Sequence, residues 1–446
     1  MAQAPAELYL CGSGHEPEPM RRRMSPAPKR SGSRAPETGT ANGSAAPGPA
    51  QLQRAPAIAE LAQLAIDAGL RRVAMLAWRD IDDAEAGGSE LHAHEVATRW
   101  AAAGIDVVLR TSSVAGRSVL VERDGYRVVR RSGRYAVFAT GPMDIAAGRL
   151  GPVDGLVEVW NGMPWLSPLW SRLPRVVFLH HVHGEMWPMV LPPSLAKAGN
   201  LLESRLAPPF YCRSRIVTLS ESSRGEIVRL PGVRSGRVSV VPPGINPCYS
   251  PGGQRADRPL VVAVGRLVPV KNFPRLLGIL AQVHERVPDL ETIIVGEGTE
   301  RSSLEARLRE LGADSYVSMP GRLSADQLVE LYRRAWVVVS TSVREGWGMT
   351  VSEAAACGTP AVATRIPGHL DAIDHGVTGM LADRDDDFER LLETLLCDPL
   401  LRRRLGRAAS ERVTMLTWEA TARGTLAALV ADARNRGLRG GSRSPA

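Results

Sequence analysis

Cysteine is scarce in this 446-residue sequence: Cys11, Cys212, Cys248, Cys357 and Cys397 lie far apart, with no C-x-x-C pair. That spacing argues against a disulfide framework and a cysteine-built zinc site, and for a reducing compartment. Long apolar runs are missing too. No stretch of about eighteen apolar residues occurs, so no transmembrane helix is expected. The amino-terminal segment is rich in Pro, Gly, Ser, Ala and Arg but has no apolar centre, so residues 1–55 read as a disordered tail rather than a secretory signal. The expectation is a cytoplasmic protein, with the inner face of the membrane as an alternative address. A G-x-G-x-x-G turn is absent after the first strand, and no acid follows the second strand at a suitable distance. A nicotinamide-dependent oxidoreductase is therefore disfavoured.

Acidic charge is in mild deficit, leaving a net +8. Residues 1–50 carry six basic and four acidic side chains, and residues 423–446 carry five and one, so only +2 remains for the body between them. The excess therefore does not describe a nucleic-acid-binding face. Basic tails of this kind suit peripheral contact with an anionic lipid surface or simple solubility.

What is present is α/β alternation. Arg72–Ala77 reads as a strand, Gly87-Gly88-Ser89-Glu90 opens a helix reaching about Ala103, and Ile105–Thr111 reads as the next strand. Further short apolar strands are expected at Tyr126–Arg130, Ala136–Thr140, Leu156–Val159, Val176–Leu179 and Ile216–Ser220. A second series starts at Leu260 and alternates strand and helix through Ala361–Thr364. Two doubly wound parallel sheets are predicted, one per domain, over residues 70–243 and 244–410. The Pro/Gly-rich Val241–Pro247 joins them, a helix over 411–435 packs near the junction, and 436–446 forms a flexible tail.

The most informative segment is Ser342-Val-Arg-Glu-Gly-Trp-Gly-Met-Thr-Val-Ser-Glu353. It runs from a buried strand through a glycine turn into a helix, an arrangement that aims free backbone N–H groups at an anion. Glu345 and Glu353 flank that seat. Carboxylates do not bind phosphate, so they are read as accepting from hydroxyl groups of the same ligand. Phosphate in the middle with hydroxyls at both ends describes a nucleotide sugar. Trp347 either packs or flanks the sugar. At the head of the second series, Gly265 lets the chain turn after the strand, with Arg266 and Lys271 placed for a diphosphate. Gly296-Glu-Gly298 lies at the same sheet edge, and Gly321-Arg322-Leu323 is read as lining the base pocket. In the first series, His180, His181 and His183 follow a buried strand, and spacing alone does not choose among them. No carboxylate or cysteine sits at a convincing spacing to complete a zinc site with them. Asp385-Asp-Asp387 is not placed like a metal–diphosphate bridge and reads as a helix N-cap.

These motifs resemble the family-4 retaining glycosyltransferases of the GT-B fold, a group of glycosyl transferases with two Rossmann-like domains facing each other across a cleft. Gly265-Arg266 with Lys271, the Glu345-x7-Glu353 motif, the run Ala355–Ala363 and Gly87–Glu90 carry the likeness, which spans about residues 72–425. The resemblance implies that Glu345 contacts donor-sugar hydroxyls and that Glu353 binds the ribose. It further implies that Arg266 and Lys271 grip the diphosphate, and that amides around Gly346, Gly348, Met349 and Thr350 touch sugar or phosphate. Gly88 would approach the donor phosphate, and His180 would be the active-site histidine. It implies metal-independent transfer with no cofactor, from a UDP- or GDP-linked sugar to a glycan, lipid or small-molecule acceptor. A nucleotide-sugar epimerase on the same scaffold is the alternative. Pro367-Gly368-His369-Leu370-Asp371 departs from the family pattern, with Asp371 read as capping a helix that faces the site.

Overall fold

The computed structural model describes residues 49–440. The first sheet has eight strands: β1 Arg72–Leu76, β2 Asp106–Thr111, β3 Leu120–Arg123, β4 Tyr126–Arg130, β5 Gly155–Val159, β6 Arg175–Phe178, β7 Arg215–Thr218 and β8 Val238–Val240. They are ordered β3-β4-β2-β1-β5-β6-β7-β8, with only the β3–β4 pair antiparallel. The second has six parallel strands: β9 Leu260–Val264, β10 Glu291–Val295, β11 Val317–Gly321, β12 Val337–Ser340, β13 Ala361–Thr364 and β14 Gly379–Ala382, ordered β11-β10-β9-β12-β13-β14. Connections reverse direction between β9 and β12, and between β1 and β5. Ligand crevices of open α/β sheets form beyond the carboxyl ends of strands at such points.

Buried Val, Ile and Leu fill both faces of the central strands, as parallel pairing under helices requires. The first core takes Leu61 and Ala65 from the helix Pro49–Asp67, and Ala422, Leu426, Leu429 and Val430 from the final helix Trp418–Gly440. That last helix is tied to the first sheet by Trp100 Nε1 donating to the Ala422 carbonyl (2.9 Å) and the Arg175 amide donating to Asp432 (2.9 Å). The chain thus crosses between the sheets twice.

Several expectations are corrected. Ala136–Thr140 is not a strand: the helix Val137–Ala146 runs through it, burying Val137, Gly141 and Asp144 on one face. A five-residue apolar run cannot by itself separate the two periods. Residues 1–48 of the expected tail lie outside the described residues. The helix from Pro49 overruns its boundary at 55, because Leu61 and Ala65 anchor that helix in the core. At the other end, 436–440 continue the last helix and 441–446 lie outside the described residues. Arg423 and Arg436, counted above as tail charge, pair with Glu60 and Asp432 (both 2.6 Å). Asp385–Asp387 occupy the first turn of the helix Asp385–Cys397 rather than its cap, which is Arg384. No described helix is long and apolar enough to cross a membrane.

The two crossings lie side by side. The Ile245 amide donates to the Leu416 carbonyl (2.9 Å) and Thr421 Oγ1 to the Pro242 carbonyl (2.8 Å). Gly244 makes this approach feasible: a Cβ there would lie 2.2 Å from the Trp418 nitrogen and 2.5 Å from its Cα. Backbone cannot retreat as a side chain can, so Gly244→Ala is expected to destabilise the protein by about 1–3 kcal/mol. A chemical-denaturation midpoint unchanged by the substitution would contradict this.

Candidate active site

The second sheet's switch point brings the loop after β9 against the loop after β12. Lys271 closes a short turn, Pro269–Lys271, and Asn272 in left-handed conformation (φ 53°) redirects the chain into the helix Phe273–Arg286. The Lys271 ammonium reaches Glu345 Oε1 at 2.5 Å, and Ser342 Oγ donates to the same oxygen at 2.8 Å. Burial opposes ionisation of Glu345, but Lys271, His369 and Ser342 outweigh it and hold the carboxyl below its ordinary pKa. Gly265 lies directly under the Lys271 stem, a Cβ on it meeting Cε at 3.4 Å.

Past Glu345 the chain turns through Gly348, whose φ of +102° is open to glycine and strained for other residues, into the helix Met349–Ala356. Its first turn, with free amides at Met349 and Thr350, therefore starts four residues after Glu345. Trp347 packs: it is 8% exposed and its Nε1 donates to Ser352 Oγ at 2.9 Å. One turn into the helix, Glu353 is 8% exposed and accepts from the Tyr332 hydroxyl at 3.1 Å. Burial raises its pKa to about 7, against the opposing pulls of Tyr332 and Lys271.

The first domain meets this floor at three places. Gly88 faces Met349, with a Cβ on it 3.8 Å from Met349 Cγ. The His180 carbonyl and His181 Nδ1 lie 3.2 and 3.3 Å from where a Gly346 side chain would begin. The turn after β1 receives two arginines, Arg266 Nη1 donating to the Glu85 carbonyl (3.2 Å) and Arg322 Nη2 to the Ala84 carbonyl. Burial and then the charge of Arg79 lower the Arg266 pKa, while Glu90, Glu345 and Glu85 pull it back. The Arg322 side chain thus goes to the domain contact, leaving backbone for the role read from sequence.

The His180 ring turns toward the helix Gly88–Ala102, its Nε2 3.2 Å from His92 Nδ1. Burial drives its pKa down to about 4 despite Glu90, so it is neutral near pH 7. Glu203, fully buried, accepts from the His183 amide (3.0 Å) and Trp187 Nε1 (2.8 Å) and fixes the loop between them. Among the described residues, no three His, Cys, Asp or Glu side chains are grouped to hold a metal.

Other partners were absent from the sequence reading. Ser342, three residues before Glu345, was within reach of a local pattern; Tyr332, a helix away from Glu353, had no sequence signal. Glu90 accepts from the Gly87 amide (2.8 Å) and pairs with Arg79 (3.2 Å), fastening the Gly87–Gly88 turn; an acid three residues past a helix start was the available hint. Asp371 does cap a helix, but one of the first domain: it accepts from the Glu221 amide (2.9 Å) at the head of Glu221–Ile227. Arg344 pairs with Glu226 of that same helix.

Residues 86–248 match the family described as Glycosyltransferase Family 4, and residues 251–412 the family described as Glycosyl transferases group 1. The D-inositol 3-phosphate glycosyltransferase of Kribbella flavida is 29% identical over 418 residues, covering 82% of this chain and 96% of that protein. The enzyme of the same name from Segniliparus rotundus is 31% identical over 247 residues, 52% of this chain and 54% of its own. Among solved structures, sucrose-phosphate synthase from Thermosynechococcus elongatus superposes with a TM-score of 0.68 at 21% identity, covering 83% of this chain and all (100%) of that one. Anabaena HepE in complex with UDP-glucose gives 0.61 at 18% identity, covering 83% and 99%.

The Glu353 environment sets a pH dependence. With a pKa raised to about 7, the carboxylate that accepts from hydroxyls is the minor form below that pH and the major form above it. Affinity for a nucleotide sugar, whose diphosphate diester does not titrate there, is expected to rise by up to about tenfold from pH 6 to pH 8 if Glu353 bonds its hydroxyls. Calorimetric titration at the two pH values checks this. Glu353→Gln should flatten the profile, and an unaltered slope in that variant would exclude Glu353 as its source.

Proposed function

We infer, for a chain that belongs to the group 1 glycosyl transferases with a family 4 amino-terminal domain, that a retaining transfer occurs at the Lys271–Glu345 seat. The enzyme is a hexosyltransferase-type glycosyltransferase using a nucleotide-sugar donor. The epimerase alternative is set aside, since both matching families are transferases. We assign the donor as a UDP- or GDP-linked sugar. UDP-glucose bound to Anabaena HepE, which shares the fold, supports the uridine choice. The relatives' names point to a small phosphorylated polyol as one acceptor to try, beside glycans and lipids.

One observation carries the reading: an ammonium, a carboxylate and a helix amino terminus converge at the switch point of the second sheet. In the proposed reaction the bond from sugar C1 to the diphosphate oxygen breaks. A bond from C1 to the acceptor oxygen forms on the same face, and the acceptor's proton passes to the departing phosphate oxygen. Negative charge grows on that oxygen as the sugar becomes oxocarbenium-like. Lys271, Arg266 and the amides at Met349 and Thr350 stabilise it from positions fixed before reaction. Glu345, held ionised by Lys271, accepts from sugar hydroxyls, and Glu353 accepts from the ribose. His180, neutral and buried with its ring against His92, takes no charge, and its part in orienting the sugar rests on the family resemblance. No carboxylate is assigned as a nucleophile, and a divalent metal is not part of the proposed route.

The test is transfer kinetics with single substitutions, after a thermal-shift screen of UDP-, GDP- and ADP-sugars identifies the donor. Removing one preorganised charge is expected to lower kcat by ~10²–10³ in Lys271→Ala or Arg266→Ala. A loss under about tenfold would overturn their roles. Glu353→Ala is expected to raise donor KM with little change in kcat, and Tyr332→Phe to do the same more weakly.

A further inference from the structure

The segment 366–372 is wedged between the Glu345 peptide and the other domain. Gly368 has a φ of +89°, and a Cβ on it would lie 2.6 Å from the Glu345 carbonyl oxygen and 2.9 Å from the Trp347 amide nitrogen. Only glycine can come so close to that peptide. On its other side the Gly368 amide donates to Ser222 Oγ of the first domain (3.0 Å). Three residues on, Asp371 accepts from the Glu221 and Ser222 amides (2.9 and 3.3 Å) and from the Ser222 hydroxyl. The helix Glu221–Ile227 cannot satisfy those two amides itself, because its own cap, Ser220 Oγ, serves the Ser223 amide (3.2 Å).

The same short helix also holds the residue before Glu345. Arg344 pairs with Glu226, and both side chains are mostly withdrawn from solvent (18% and 24% exposed). Removing one partner would leave the other charge partly desolvated and unpaired. Glu345 is thus fixed in two ways. Its head group is held within the second domain by Lys271 and Ser342. The peptide that carries it is held from the first domain, through Arg344 on one side and Gly368 on the other. A group that must meet a ligand to within about 0.5 Å needs both.

We propose that the helix Glu221–Ile227 sets the register of the Glu345 carboxylate for sugar transfer, with Arg344, Glu226, Ser222 and Asp371 as positioning residues. This rests on the nucleotide-sugar reading above. The helix belongs to the first domain and the diphosphate seat to the second, so the contact governs the transfer step and not the grip on the nucleotide. A misplacement of about 1 Å at a reacting group, caused from a distance, can cost about a hundredfold in rate. The departure at Pro367–Asp371 thereby gains a role: it carries the first domain's hold on the helix across to the Glu345 peptide.

The experiment follows, on the full chain, nucleotide release from UDP-glucose, GDP-mannose and ADP-glucose, with water or D-inositol 3-phosphate as acceptor. With the donor that the wild type turns over, Glu226→Gln and Arg344→Gln are each expected to lower kcat about ten- to a hundredfold. Affinity for the free nucleotide should change by less than about twofold. The chemical-denaturation midpoint should stay near that of the wild type, since one partly exposed ion pair adds little to stability. The double variant is expected to be no slower than the slower single one, as for two groups that act as a pair. Glu226→Asp, which keeps the charge, is expected to recover part of the loss seen in Glu226→Gln. Additive losses overturn the proposal. So does a kcat within about threefold of wild type in both single variants, or a loss of nucleotide affinity that matches the loss of kcat. All three outcomes leave the donor reading standing. A wild-type chain that releases nucleotide from none of the three donors overturns that reading, and this proposal with it.

Discussion

The contact between Lys271 and Glu345 organises the functional end of the second domain. It joins loops from two strands, β9 and β12, that neighbour each other only because the connections reverse direction there. Withdrawing either charge alone from water would be costly, whereas at 2.5 Å the Lys271 ammonium helps hold the Glu345 carboxyl below its ordinary pKa. The carboxylate is thereby kept as an acceptor, and under the proposed function the ammonium stays next to the point where a phosphate arrives. Ser342 Oγ fixes the same oxygen, so the geometry is set before a donor enters.

Much of this was legible because its signals are local. Gly346 and Gly348 between two acids mark a turn into a helix, and the alternation from Leu260 onward marks parallel strands. Glu345 and Glu353 nonetheless face quite different surroundings. One is held ionised by a cation, while the other is buried beside a tyrosine hydroxyl with its pKa raised to about 7. Spacing along the chain carries no information about Tyr332, which reaches Glu353 from the helix Ala325–Arg334. The helix Val137–Ala146 was misread for a related reason. Its register is set by Asp144 bonding the buried Arg110 of β2 (2.8 Å), a contact 34 residues apart.

The histidine run shows the same limit at finer scale. Consecutive residues just past a strand can send their rings in different directions, and His180 and His181 do. The first turns toward His92 in its own domain, the second toward Gly346 in the other. Likewise, Asp371, expected to cap a helix facing the site, caps the first-domain helix Glu221–Ile227, where Arg344 also ends, so the domains meet through a capped helix as well as through the cleft.

The final helix has a bearing on how the molecule is made. Ala422, Leu426, Ala428, Leu429 and Val430 complete a core otherwise built from residues 61–241, so the whole six-stranded sheet is synthesised before the earlier one can be sealed. On the ribosome the amino-terminal half would wait with an apolar face uncovered until the helix Trp418–Gly440 emerges, a state prone to sticking. Topologically, the carboxyl-terminal sheet is a guest inserted near the end of its host, and loss of the closing segment would injure the host rather than the guest.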